Sequence, residues 1–144
     1  KAGIVVDETL LSQSYRCSVN VCDFVTQSLL IEIYSHRADI TNVELIECED
    51  HAERLFNCPK TVKLFYQSSN KYKGFTENWG ATKGEDCYHD VCVALNPNTL
   101  KHYNNGNLPE LATQTKNKLY VACTRTKNNL YFVPEKLFKK YKSI

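Results

Sequence analysis

Methionine is missing from all 144 residues, and the chain opens on Lys1. Both facts raise the expectation of a fragment, either a piece cut from a longer protein or a processed chain. Long apolar runs are missing too. No stretch approaches the roughly 18 residues that a membrane helix needs, and no secretory leader is readable, so no membrane partner is expected. A strong excess of one charge is absent: the net +2 is too small to argue nucleic-acid binding from composition, and it leaves a local basic groove open. Seven cysteines are present, yet none forms a C-x-x-C pair, and the odd number cannot all pair within the chain. Cysteine and histidine do not cluster at zinc-ligand spacing, so no metal site is expected. A reducing, cytoplasmic compartment and free thiols packed in the core follow from this usage. A phosphate loop of the form G-x-x-x-x-G-K-[ST] is also lacking.

What is present describes a folded domain. Hydrophobic residues make up 42% and charged residues 24%, values of a globular chain rather than a disordered one. Residues 1–144 are expected to form a single domain with its own core. Ile4, Val5 and Val6 suit a strand in an extended opening segment. After Ser18, a suitable N-cap, Val21, Phe24, Val25, Leu29 and Ile33 recur at helical spacing, which predicts a helix from about Val19 to Tyr34. "VELIECE" alternates as a half-exposed strand, "DHAERLF" fits a short helical turn stopped near Pro59, and "TVKLFYQ" fits a second strand. "SSNKYKGFTEN" reads as a polar loop, and "DVCVAL" as a strand buried on both faces. "NPNTLKHYNNGNLPEL" is rich in Asn, Pro and Gly and reads as a loop. A helix is expected from about Thr113 to Lys127, then a short strand "LYFV", then an amphipathic tail helix opened by Pro134. Strands alternating with helices predict an α/β fold around a mostly parallel sheet.

One segment stands out. "LYVACTRTKNNLYFV", residues 119–133, runs a buried-looking pattern straight up to Arg125 and then resumes it. Arginine is almost never buried without a partner, so an anion is the expected target.

Three stretches, taken in order, resemble the second RecA-like domain of superfamily 1 DNA helicases of the UvrD/Rep type. "LLSQSYRCS" (10–18) resembles that family's fourth helicase motif. "GATKGED" (80–86) resembles the fifth, and "LYVACTRTKNNLYFV" is similar to the sixth. The resemblance covers nearly the whole chain and implies a RecA-like three-layer α/β sandwich. It implies that ATP sits between this domain and an N-terminal RecA-like domain of the same protein, which would supply the phosphate loop and hold Mg2+. Arg125 would then be an arginine finger and Arg16 its companion, both catalytic and both nucleotide-binding. Gly84 and Glu85 would complete the nucleotide contacts, Glu85 through the ribose. Trp79, Gly80, Ala81, Thr82 and Lys83 would face DNA, single-stranded or duplex, with Trp79 able to stack on a base. The chemistry is sound on its own terms. A guanidinium is planar and permanently charged, and it matches phosphate oxygens in pairs. Fingers of this kind raise hydrolysis on the order of 10³ to 10⁵ fold.

The sequence also departs from the family pattern. Gly80 stands where many relatives carry histidine. Thr126 replaces the usual alanine, with no chemical consequence evident from sequence. The stretch between the fourth and fifth motifs is too short for the large helical insertion of the best-known members. "IVVDE" (4–8) mimics a magnesium-binding strand but lies too close to Arg16 for that role, so a strand ending in solvated acids is expected. Lys139, Lys140 and Lys142 read as a solvated face, and the four histidines as surface or loop residues. The functional expectation is the C-terminal motor domain of an ATP-dependent DNA helicase or translocase, inactive alone. The competing expectation is a non-catalytic, helicase-derived module that binds DNA or protein in a nuclease or defence complex.

Overall fold

A computed structural model describes residues 13–14, 17–31, 33–35, 40–66, 72, 76–78 and 89–141. Among the described residues the seven strands are β1 (Gln13–Ser14), β2 (Tyr34–Ser35), β3 (Val43–Leu45), β4 (Thr61–Phe65), β5 (Thr76–Asn78), β6 (Asp90–Leu95) and β7 (Leu130–Pro134). The α-helices among the described residues are α1 (Val19–Ser28), α2 (Glu49–Asn57), α3 (Pro97–Asn105) and α4 (Thr113–Cys123), with 3-10 turns at Leu108–Glu110 and Glu135–Tyr141. The main sheet runs β3-β7-β6-β4-β5, and every neighbouring pair is parallel. β1 and β2 pair separately, also in parallel.

Side-chain alternation along the strands builds the layers. Val62, Leu64, Val91, Val93, Leu95, Leu130 and Phe132 join one buried cluster with Val21 and Val25 of α1 and Leu119 and Ala122 of α4. Phe65, Cys92, Ala94 and Val133 join the opposite cluster with Ala52 and Phe56 of α2 and Phe138. The result is a sheet covered on both faces, which is why β4 and the apolar run of β6 are buried. Each large apolar side chain so buried contributes about 1.5–3 kcal/mol.

Several expectations are met. β3, β4, β6 and β7 lie where the sequence placed strands, α2 where a helical turn was expected, and Ser18 caps α1 by accepting from the Val21 amide at 3.4 Å. Others need correction. α1 ends at Ser28 rather than Tyr34, because Leu30 adopts a left-handed φ of 56° and the Thr26 hydroxyl captures Ile33 from both sides. The chain then enters β2 at Tyr34. The polar loop "SSNKYKGFTEN" contains β5. The Asn-rich stretch after β6 is α3 and a 3-10 turn. Pro97 opens α3 at a position that needs no amide donor, and Gly106 closes it at φ 71°. α4 stops at Cys123 rather than Lys127, where the Thr124 hydroxyl takes up the carbonyls of Tyr120 and Val121. The tail is a 3-10 rather than an α-helix. Cys17, Cys22, Cys92 and Cys123 are core residues as expected, whereas Cys48 is exposed and Cys58 half-buried. Lys139 and Lys140 are exposed. Residues 4–8 and Cys87 lie outside the described residues.

Candidate nucleotide-facing site at the amino ends of the strands

Parallel pairing puts the starts of β3, β7 and β6 side by side, with Val91 and Val43 both in register with Leu130. The chain reaches β7 through a tight turn, residues 124–129, and Arg125 stands at its beginning. Arg125 is only 8% exposed. Its Nε donates to the Val121 carbonyl at 3.1 Å, and its backbone N–H to Ala122 at 3.3 Å. The guanidinium is therefore anchored to the last turn of its own helix.

Polar side chains hold this turn from three directions. Asp90, the first residue of β6, accepts through Oδ1 from Asn128 Nδ2 at 2.9 Å and from the Asn129 amide at 3.0 Å. Asn129 Oδ1 accepts from the Asn42 amide at 3.0 Å, just before β3. Asn129 Nδ2 donates to the Tyr131 hydroxyl at 3.1 Å. Burial, with the charges of Asp90 and Glu44 adding to it, pushes that phenol above its ordinary value. Asn128 Nδ2 also lies 3.3 Å from His89 Nε2. The third direction is the start of α1, where the Cys17 thiol donates to the Thr124 carbonyl at 3.3 Å. Ser35 in turn donates to the Cys17 carbonyl at 2.7 Å, and Ser18 shares a 2.7 Å bond with Thr41.

Thr126 is the residue that sequence reasoning undervalued. It is fully buried. Its single hydroxyl proton is shared between the carbonyls of His89 at 3.0 Å and Asn129 at 2.7 Å, while its oxygen accepts from the Asn128 amide at 3.1 Å. An alanine there could make none of these bonds. The signal that could have found this network is the placement of Asp90 and Asn128–Asn129 at the heads of two apolar runs, where polar side chains in adjacent strands must meet.

Of the catalytic, nucleotide-binding and DNA-facing residues that the resemblance implies, Arg125 alone lies among the described residues. Arg16, Trp79, Gly80, Ala81, Thr82, Lys83, Gly84 and Glu85 lie outside them. Described neighbours of those stretches do meet: Cys17, which follows Arg16, touches Thr124, which precedes Arg125, and His89 reaches Thr126. Among the described residues no group of three His, Cys, Asp or Glu side chains could hold a metal ion. No helix among them is long and apolar enough to cross a membrane.

Comparison with known proteins is informative only at the level of fold. No protein family matches the sequence. No curated protein matches it either. Solved structures do. Arterivirus nonstructural protein 10, a helicase solved in complex with DNA, superposes with a TM-score of 0.53 at 16% identity, over 90% of this chain and 27% of that one. Another structure of arterivirus nonstructural protein 10 gives 0.53 at 18% identity, over 92% and 27%. The C-terminal domain of a possible DNA helicase from Lactobacillus plantarum gives 0.51 at 16% identity, over 84% of this chain and 87% of that domain. The chain thus spans about a quarter of the length of the viral helicases it matches. At these identities the likeness fixes architecture: this is an α/β, RecA-like domain of the kind found in helicases.

Proposed function

We propose that this chain is the second RecA-like domain of a superfamily 1, UvrD/Rep-type motor that couples ATP hydrolysis to movement on DNA. Arg125 and Arg16 reach the γ-phosphate as arginine fingers, Gly84 and Glu85 contact the nucleotide, and residues 79–83 form part of the DNA track. Mg2+ and the phosphate loop belong to the partner RecA-like domain. ATP bound between the two domains supplies the phosphoryl group whose developing charge a guanidinium stabilises. The helicase-like fold and the order of the three stretches support this reading. Six free cysteines among the described residues fit a cytoplasmic location.

The observation that carries it is the meeting of Cys17 with Thr124 and of His89 with Thr126, which brings the flanks of all three stretches to the amino edge of one sheet. Arg125's low exposure and its bond to Val121 favour the second reading, a module in which this arginine only holds its turn. One experiment separates them. In the complete protein, Arg125→Ala is expected to lower DNA-stimulated ATP hydrolysis by at least 10³-fold while ATP binding persists, given the size of finger effects of roughly 10³ or more. The isolated chain is expected to hydrolyse no ATP. Undiminished turnover in the variant would leave the motor reading without its finger, and turnover by the isolated chain would overturn the assignment of the phosphate loop to a partner domain.

A further inference from the structure

Arg125 stands between two threonines, and their hydroxyls do different work. Thr124 bonds back onto the carbonyls of Tyr120 and Val121, an ordinary way for a helix to end. Thr126 does not serve its own helix. It ties the turn after Arg125 to the His89 carbonyl, on the segment leading into the neighbouring strand, and to Asn128 and Asn129 ahead. On the other flank Cys17 holds the Thr124 carbonyl. The backbone at Arg125 is therefore pinned on both sides, and its Nε is pinned to Val121.

A long side chain magnifies any rocking of the backbone that bears it. A misplacement of about 1 Å at a reacting group can cost on the order of 10²-fold in rate. A fully buried hydroxyl with a shared proton and a filled lone pair removes that freedom. An apolar side chain of the same shape would leave the His89 carbonyl and the Asn128 amide short of a partner. We propose that Thr126 is a positioning residue for Arg125: through its bonds to His89, Asn128 and Asn129 it sets the direction in which the guanidinium leaves the turn. The inference rests on the reading of Arg125 as phosphate-facing, and Thr126 itself touches neither nucleotide nor DNA in it.

The test uses the complete protein, ATP and a single-stranded DNA oligonucleotide. Thr126→Val keeps the shape and removes the hydroxyl. It should lower kcat about tenfold, a coupling of ordinary size, and leave the KM for ATP within about twofold of wild type. Thr126→Ser, which restores the hydroxyl, should recover most of the loss. Combined with Arg125→Ala, Thr126→Val should cause no additional loss, because it acts through the missing guanidinium. Thr126→Ala only removes atoms and serves as the second variant if Thr126→Val melts below the assay temperature. Wild-type kcat in Thr126→Val and Thr126→Ala overturns the inference. So does a loss that multiplies on top of Arg125→Ala, since that marks a general structural role. If Arg125→Ala itself is silent, or the wild type does not hydrolyse ATP, the functional reading falls and this inference falls with it. Damage from Arg125→Ala with silent Thr126 variants removes the inference alone.

Discussion

Lys63 is the ionisable residue that the functional reading leaves unused. It sits on β4, 1% exposed, with its Nζ 5.6 Å from the centre of the Phe56 ring and donating to the Cys58 carbonyl at 3.0 Å. The ammonium thus closes the carboxyl end of α2, where the helix dipole favours positive charge. Burial holds its proton less firmly than an ordinary lysine does, with partial compensation from Cys92 and Cys58. The sign follows from linkage. The proton of a lysine whose folded value is lowered is bound more tightly in the unfolded chain, so stability rises with pH from the lowered value up to about 10.5. Lys63→Met keeps the apolar stem and loses the charge. It should cost less than about 1 kcal/mol at neutral pH, whereas Lys63→Ala, which opens a cavity, should cost about 2–4 kcal/mol. Urea titrations at several pH values check both, and the advantage of wild type over Lys63→Met should grow on the alkaline side. Tyr72, Tyr103 and Tyr131 titrate in both proteins, each pushed up by burial, and cancel in that difference. Equal losses for Met and Ala would show that the charge, not the stem, matters.

At the scale of elements, α3 is the instructive case. Its composition, "PNTLKHYNN", is that of a loop, and its helical character comes from its two ends. Pro97 supplies a fixed φ where no donor is needed, and Gly106 supplies the left-handed residue whose amide bonds to the carbonyls of His102 and Tyr103. A Cβ at Gly106 would meet nothing within 4 Å. Gly106→Ala should therefore cost only its backbone strain, about 1 kcal/mol, read as a lower midpoint in denaturant. An unchanged midpoint would mean that α3 can end elsewhere. The same logic explains what the sequence made legible. β4 and β6 were readable because continuous apolar runs can satisfy only a sheet covered on both faces. The stop of α1 was not, because it depends on Thr26 meeting Ile33, a contact between residues whose spacing still looks helical. β5 was hidden because a polar segment becomes a strand when a neighbour such as β4 offers its edge. Within the candidate site, Arg125 was legible as a charge breaking an apolar pattern. Thr126 was not, since its value lies in carbonyls that no sequence spacing reveals.

The molecule divides the six cysteines among its described residues by accessibility. Cys17, Cys22, Cys92 and Cys123 are buried on the two faces of the sheet, and burial pushes the thiols of Cys92 and Cys123 well above the ordinary range. Cys48 is exposed, and the thiol of half-buried Cys58 is drawn down, first by a hydrogen bond from the Thr61 side chain and then by backbone amides and Lys63. Alkylation near neutral pH followed by peptide mapping should modify Cys48 and Cys58 within the native protein and reach Cys17, Cys22, Cys92 and Cys123 only after denaturation. Native modification of Cys92 at the pace of Cys48 would contradict the layering described above. Sulfur is thereby distributed like tracer dye sealed in separate compartments. Each inner thiol stays dark until its own layer parts, and the order in which they take up label would record which side of the sheet comes apart first.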